Sequence, residues 1–163
     1  MAEAGNASVF RVTDASDTEA NAKLDTNGIV EMNNDADTPD GNTFMESMTI
    51  SWTEDISIHP NPGRALNQVQ ANGLGTKIVT IKGYIKNDSP GAPVTFDAWM
   101  EESKDNTNFP YGRFGIRNDN MSSQDFTPTA TTGYILQNIE LIDVPEFENR
   151  LDFIMVLYRS GSV

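Results

Sequence analysis

Two stretches of the chain alternate between apolar and polar residues, which is the period of two expected for half-buried β-strands. In residues 43–59 one parity is polar and the other carries the apolar set Phe44, Met48, Ile50, Trp52, Ile56 and Ile58. Residues 77–86 alternate in the same way after a polar segment, residues 60–75. The pattern predicts an extended hairpin whose two long strands are joined by a sixteen-residue loop, and it leaves open a break in the first strand near Glu54-Asp55.

Two later runs, residues 134–144 and 151–158, are apolar on both parities. The first run divides into Tyr134, Leu136, Ile142 and Val144 against Ile135, Ile139 and Leu141. The second divides into Leu151, Phe153, Met155 and Leu157 against Ile154, Val156 and Tyr158. A strand that is apolar on both faces either lies at the centre of a two-layer domain or is covered by another subunit.

A helical period occurs at one place in the chain. Phe96, Trp99 and Met100 have the spacing of one helix face, and Thr95 can cap the helix, so a short amphipathic helix is predicted over roughly residues 95–103. Shorter strands are predicted at residues 8–13 and 109–117. The predicted fold is mainly β: an antiparallel β-sandwich or barrel with one short α-helix.

Residues 1–43 differ from the remainder of the chain. They are polar, rich in Asp, Asn, Thr, Ala and Gly, and contain few large apolar residues. Such a segment cannot bury enough apolar surface to offset the entropy of ordering itself. We therefore predict an acidic, partly irregular and extended N-terminal arm over residues 1–43, which orders against a neighbour, and a β domain over residues 44–163.

The composition excludes most kinds of catalytic site. Among 163 residues there is no cysteine, and the only histidine is His59, so disulfides, thiolate chemistry and sites with paired imidazoles are excluded. No apolar run approaches the ~20 residues of a membrane span, and Met1–Gly5 lacks the features of a signal peptide. We predict a soluble protein with no enzyme active site, no cofactor and no membrane partner.

The net charge is −13, from 24 acidic and 11 basic residues. Residues 1–60 alone carry a net charge of −10, whereas residues 61–163 carry −3. Binding to a phosphate backbone requires patches of Lys and Arg that release counterions, so the charge argues against specific binding of nucleic acid.

Three local patterns have a chemical interpretation. Residues Asp35 to Glu46 resemble a twelve-residue calcium loop, but the glycine stands at the seventh position and a proline at the fifth, which favours a solvated acidic turn. His59 follows Glu54-Asp55 closely, yet a histidine at a strand end without a nucleophile is more often exposed or capping. Two carboxylate pairs are expected to be solvated on the helix and in a turn, Glu101-Glu102 and Glu146 with Glu148.

Aromatic side chains raise the possibility of a carbohydrate-binding site, because aromatic rings stack on the faces of sugars. The candidates for such a platform are Trp52, Trp99, Tyr84, Tyr111, Tyr134 and Tyr158. Core packing or subunit contacts explain these rings equally well. An extracellular β-sandwich module that binds carbohydrate or calcium is therefore one of the functions that the sequence leaves open.

The order of the predicted parts resembles that of tail tube proteins from contractile or long-tailed phages and related injection systems. The resemblance is carried by residues 48–58, by residues 75–85, and by residues 133–144 together with 149–153. It implies a homo-oligomer in which six subunits form a ring, and rings stack with other tail subunits into a tube that DNA passes through without specific binding. The protein would be part of the virion tail and would assemble in the host cytoplasm.

The resemblance also implies an interaction site. Residues 60–75 would reach the next ring, and the polar residues expected to make that contact are Asn61, Arg64, Asn67, Gln70 and Asn72. An acidic lumen would repel DNA and let it pass. Residues 14–42 have no fixed counterpart in tube subunits, so a tube, tube-end, neck or baseplate position all remain open.

Overall fold

The structure is a computed structural model that describes residues 7–12, 19–22, 24, 27–32, 43–54, 56–63, 65–71, 76–86, 92–102, 113–121 and 133–160. The strands in this part of the chain are β1 (Ala7–Val12), β2 (Ile29–Met32), β3 (Thr43–Thr53), β4 (Ile56–His59), β5 (Gln68–Ala71), β6 (Thr76–Lys86), β7 (Arg113–Asn118), β8 (Gly133–Asp143) and β9 (Arg150–Ser160). The α-helices are α1 (Glu19–Ala22) and α2 (Ala92–Glu102), and Asp119–Met121 form a 3-10 turn.

Seven strands form one antiparallel sheet in the order β2-β1-β7-β8-β9-β6-β3, and β4 and β5 form a separate two-stranded sheet. The edge strands β2 and β3 approach each other to within 8 Å between Cα atoms but share no ladder. The large sheet is therefore curled like a sandwich and stays open. A mainly β, antiparallel fold is confirmed, α2 is the predicted short helix, α1 is a single further turn, and the sheet does not close into a barrel.

Strands β1 and β2 fall within the segment predicted as an N-terminal arm. They pair with each other, and β1 also pairs with β7 over its whole length. Ala7, Val9, Val30 and Met32 are buried in the core of the sheet. The partner against which these strands are ordered is thus the same chain, and the remainder of residues 1–42 lies largely outside the described residues.

Helix α2 packs into the concave, inner face of the curled sheet. The ring centroid of Phe96 lies 5.3 Å from that of Phe153 on β9, and the centroid of Trp99 lies 5.0 Å from that of Phe114 on β7. The helix thus fills the interior with the residues that its period predicted. Its start was predicted too late: it begins at Ala92, so Thr95 is a buried residue of the first turn and does not cap the helix.

Two β-bulges change which side chains face the core. Glu46 has no partner between the pairs Met45↔Gly83 and Ser47↔Lys82, and Gln137 is the unpaired residue in β8. An extra residue reverses the alternation beyond it. Met45 therefore packs against the core, while Phe44 turns to the outer face, contrary to the predicted parity. In β8 the inward set is likewise Tyr134, Leu136 and Ile139, and Ile142 lies on the outer face.

In the described structure, a helix covers the convex, outer face of the sheet in one region only. There α1 packs on β1, where Phe10, Val12 and Ala22 form a small second core with Ile29. On β6, β8 and β9 five apolar side chains are partly exposed; we call them the outer patch, and they are Ile78, Ile135, Ile154, Val156 and Tyr158. The two strands predicted to be apolar on both faces, β8 and β9, thus lie centrally in the sheet and carry apolar residues on its uncovered side.

Candidate functional site

The hairpin formed by β3 and β6 continues beyond the large sheet as a projecting arm. We use "the arm" for β4, β5 and the turn that joins them. β4 follows β3 after Glu54, and β5 precedes β6, so the arm is an extension of the hairpin that the alternating pattern predicted. The predicted loop over residues 60–75 was too long, because residues 68–71 of that segment form β5.

The two faces of the arm differ in chemistry. In the β4–β5 ladder Ile58 stands opposite Val69, and Ile56 lies two residues earlier on the same face. The opposite face pairs Ser57 with Gln70 and His59 with Gln68. The three apolar side chains are between 49% and 60% exposed. The arm is thus an amphipathic hairpin with no described layer packed on its apolar face.

Apolar exposure continues at both ends of the arm. Trp52, near the end of β3, is 65% exposed, and Leu66 in the turn between β4 and β5 is 80% exposed. Isolated exposed apolar residues are ordinary on protein surfaces, but a concentration of them in one short hairpin is typical of an interaction site. The arm and its base therefore form the leading candidate for a site of contact with another molecule.

Three of the five predicted contact residues lie in the described part of the arm. Asn61 is half-buried after β4, Asn67 is exposed just before β5, and Gln70 is exposed on the polar face. Arg64 and Asn72 lie outside the described residues. The residues that the polar set missed are Ile56, Ile58 and Val69. The sequence assigned the two isoleucines to a half-buried strand, which is wrong, because β4 lies beyond the sheet that would have covered them.

A second cluster joins three strands on the outer face. The Arg150 guanidinium lies 4.3 Å from the ring centroid of Tyr84 and 4.8 Å from that of Phe147. Its Nε donates to Asp152 at 2.7 Å, and its NH2 group donates to Glu46 at 3.0 Å. The hydrogen bond to Asp152 is the largest cause that raises the pKa of Arg150. All of these contacts are internal, so the cluster ties the bulge of β3 to β9 and does not present a binding site.

This geometry predicts that Arg150→Ala lowers the thermal midpoint of unfolding, and that Arg150→Lys recovers only part of the loss. Lysine keeps the charge but cannot donate in fork geometry to two carboxylates while stacked between two rings. Because hydrogen bonding to Asp152 raises the pKa of Arg150 above its ordinary value, the stabilising contribution is present at every pH below that ordinary value, so the loss in Arg150→Ala is expected to be the same at neutral pH and at about pH 10.

Circular dichroism melts at neutral pH and at about pH 10 measure this effect. The matched control is Arg159→Ala, since Arg159 is an exposed arginine on the same strand. Equal midpoints for Arg150→Ala and Arg159→Ala would show that the stacked cluster contributes nothing particular.

The remaining carboxylate and histidine candidates are dispersed. His59 is exposed at the end of β4, Glu101 is exposed near the end of α2, and Glu146 and Glu148 are exposed in the turn between β8 and β9. Most of the calcium-like segment, residues 35–42, lies outside the described residues. Within the part of the chain that the structure describes, no three His, Cys, Asp or Glu side chains are grouped closely enough to hold a metal ion.

The five described rings of the proposed sugar platform do not come together. Trp99 and Tyr134 are buried in the core. Tyr84 and Tyr158 both lie on the outer face, but Tyr158 pairs with Ile78, six residues along β6 from Tyr84, which separates them by about 20 Å. Trp52 lies at the base of the arm, and Tyr111 is outside the described residues. Exposed aromatic area is therefore scattered.

Comparison with known proteins adds no relative: no protein-family model matches this chain, and no curated protein matches its sequence. The described helices include none with the length and apolar character needed to cross a membrane.

Proposed function

We propose that this chain is a structural subunit of a phage-type tail, which forms hexameric rings that stack into a tube for the passage of DNA. The observation that supports the proposal most directly is the projecting arm with its exposed apolar face. The pattern-level resemblance to tail tube proteins supplies the biological setting.

The arm is poorly suited to exist without a partner. A two-stranded hairpin is marginally stable in water when nothing packs on it. Complete burial of an isoleucine or valine side chain stabilises by roughly 1.5–3 kcal/mol, and Ile56, Ile58 and Val69 are all at least 49% exposed. Docking of the arm on another molecule would recover a substantial part of that free energy and would fix the conformation of the hairpin.

The distribution of charge favours another copy of the same chain as the partner. Residues 56–75 contain Arg64 and neither Asp nor Glu, so the other residues of the chain carry a net charge of −14. Complementary potentials accelerate encounter and favour the correct partner. An acid-free arm meeting an acidic body reduces the repulsion that would otherwise keep copies with a net charge of −13 apart.

The open sheet offers a second means of joining copies. β3 is eleven residues long and pairs with β6 on one side, while its other side carries no ladder to any described strand. Unpaired edges of this length are liable to pair with other chains, and ring closure removes them. The acidic surface would in addition repel DNA within a lumen, which suits passage without binding.

The oligomeric state tests the proposal. Size-exclusion chromatography with light scattering, followed by negative-stain imaging, is expected to show six-membered rings or stacked polymers. A protein that stays monomeric at high concentration would count against assembly. If the thermal midpoint of that monomer rose with a sugar or with calcium, the binding-module alternative would be favoured instead.

A substitution on each face of the arm gives a sharper test. Ile58→Glu places a charge on the apolar face and is expected to raise the concentration needed for assembly by about a hundredfold, since burial of an unpaired carboxylate costs several kcal/mol. Ser57→Glu adds the same charge to the polar face of the same strand and is expected to assemble as the wild type does.

Both variants should keep the circular dichroism spectrum and thermal midpoint of the wild type, because the arm lies outside the core. Equal assembly of Ile58→Glu and the wild type would remove the arm from the proposal.

A further inference from the structure

We infer that the apolar face of the arm docks on the outer patch of a second copy of this chain. The inference rests on the proposed function, because it specifies which surface receives the arm in an assembly of identical subunits. It assigns a role to the outer patch, whose side chains no described helix covers.

The outer patch is continuous and large enough for the arm. Ile78, Tyr158 and Ile135 stand side by side across three neighbouring strands, and Val156 and Ile154 continue the apolar surface along β9. With about 4.8 Å between strands and about 3.3 Å per residue, the patch is about 10 Å wide in the row of Tyr158, is confined to β9 in the rows of Val156 and Ile154, and is about 13 Å long. The apolar face of the arm is two strands wide and spans about 7 Å along β4. One arm therefore fits on one patch as a small second layer, the way two sheets pack face to face.

The borders of the patch are polar. In the row of Val156 the neighbours are Asn138 on β8 and Thr80 on β6, and in the row of Ile154 they are Glu140 and Lys82. An apolar centre with a polar rim is the usual anatomy of a protein interface. The arm would bury no charge of its own in the centre, because Ile56, Ile58 and Val69 are the side chains that face it.

The covered faces lie elsewhere in the described structure. α2 fills the inner face through Phe96 and Trp99, and α1 packs on β1. The charge argument points to a second copy as the occupant, since an acid-free arm meets a body whose net charge is −14.

The donor and the acceptor are different surfaces of one chain, which determines the geometry of assembly. A contact between unlike surfaces is heterologous, and its repetition either closes into a ring or continues as a filament. Each copy in such an assembly gives one arm and receives one arm. Stacked rings require two kinds of contact, one within a ring and one between rings; the arm would supply one of them, and the edge of β3 is available for the other.

The first experiment compares two substitutions on the outer face. Val156→Glu lies in the centre of the patch and is expected to raise the assembly concentration at least about tenfold. Ile142→Glu makes the same change on the same face, beyond the polar row of Glu140 and Lys82, and is expected to assemble as the wild type does. If Val156→Glu loses its fold by circular dichroism, Ile78→Glu on β6 serves as the patch variant.

The second experiment tests the pairing of donor and acceptor by complementation. Ile58→Glu has a blocked arm and an intact patch, while Val156→Glu has an intact arm and a blocked patch. Each is expected to be monomeric alone in analytical ultracentrifugation, and an equimolar mixture is expected to form pairs and nothing larger. Two blocked variants that do not pair when mixed would overturn the inference.

The outcomes separate this inference from the proposed function. A wild-type protein that never assembles would contradict both. A different result would contradict this inference alone. If Ile58→Glu loses assembly while Val156→Glu and Ile78→Glu both assemble normally, the arm drives assembly but the outer patch does not receive it.

Discussion

Replacement of Trp99 by alanine is expected to lower the free energy of unfolding by about 3–5 kcal/mol, the usual cost of deleting a large buried aromatic side chain. Trp99 is fully buried, and its ring packs against those of Phe96 and Phe114. Its Nε1 donates a hydrogen bond of 2.6 Å to the carbonyl oxygen of Asn27, so the substitution also leaves that oxygen without this donor. Trp99 thus holds α2 inside the sheet and anchors the approach to β2.

The matched control is the same substitution at the other tryptophan, Trp52. Trp52 is 65% exposed, and its described partner is the Nζ of Lys77, 5.8 Å from the ring centroid. Trp52→Ala is expected to cost under about 1 kcal/mol, because most of the ring is exposed and a single cation–π contact at 5.8 Å contributes little. Urea titrations followed by circular dichroism measure both losses at a protein concentration too low for assembly. Similar losses for the two variants would contradict the placement of α2 and its indole in the core.

Gly83→Ala is expected to destabilise the fold by about 3 kcal/mol or more, at the upper end of what overpacking costs. A Cβ at Gly83 would collide with the backbone carbonyl oxygen of Phe44 and come within 2.8 Å of Cζ of Phe153. Gly83 pairs with Met45, and Phe44 pairs with Tyr84 just before the bulge at Glu46, so the colliding backbone is held by the ladder and cannot move without breaking it.

Substitutions at two other glycines provide a comparison for the loss of stability in Gly83→Ala. At Gly115 a Cβ would collide with the ring of Phe10, a side chain that can shift, so Gly115→Ala is expected to cost less. At Gly63, which has a φ of +83° and open space around it, Gly63→Ala is expected to cost about 1 kcal/mol through backbone strain alone. Urea unfolding midpoints of the three variants check this order. A Gly83→Ala protein as stable as the wild type would mean that the bulge is not where the structure places it.

The two bulges are a part of the fold that the sequence did not predict. Alternation predicted the long strands and the spacing of Phe96 and Trp99 predicted the helix, because both signals repeat at the period of the element. A single extra residue leaves no periodic signal, so the positions of Glu46 and Gln137 were not predictable from alternation. The consequence was the wrong face for Phe44 and Ile142.

The apolar face of the arm was hidden for a related reason. Ile56 and Ile58 alternate with polar residues in the same way as Met48 and Ile50. Alternation with a period of two shows which residues share a face of a strand but not whether another layer covers that face. Strand β5 was hidden as well, since Gln68–Ala71 is short and contains a single large apolar residue, Val69. Only the pairing of β3 with β6, which ends at Thr53 and Thr76, shows that β4 has left the sheet.

The order of strands in the large sheet has a consequence for biosynthesis. β1, β2, β3 and β6 emerge first from a ribosome but occupy the two flanks of the sheet, whereas β7, β8 and β9 emerge last and form its centre. Until residues 113–160 have been synthesised, the two flanks of the sheet have no strand between them. β1 can pair with β7 only when that strand, more than a hundred residues later in the chain, has been made. Four of the five outer-patch residues, Ile135, Ile154, Val156 and Tyr158, also belong to that last stretch. A nascent copy can therefore offer an arm before it can receive one, and its capacity to accept a neighbour arises only as its own fold is completed.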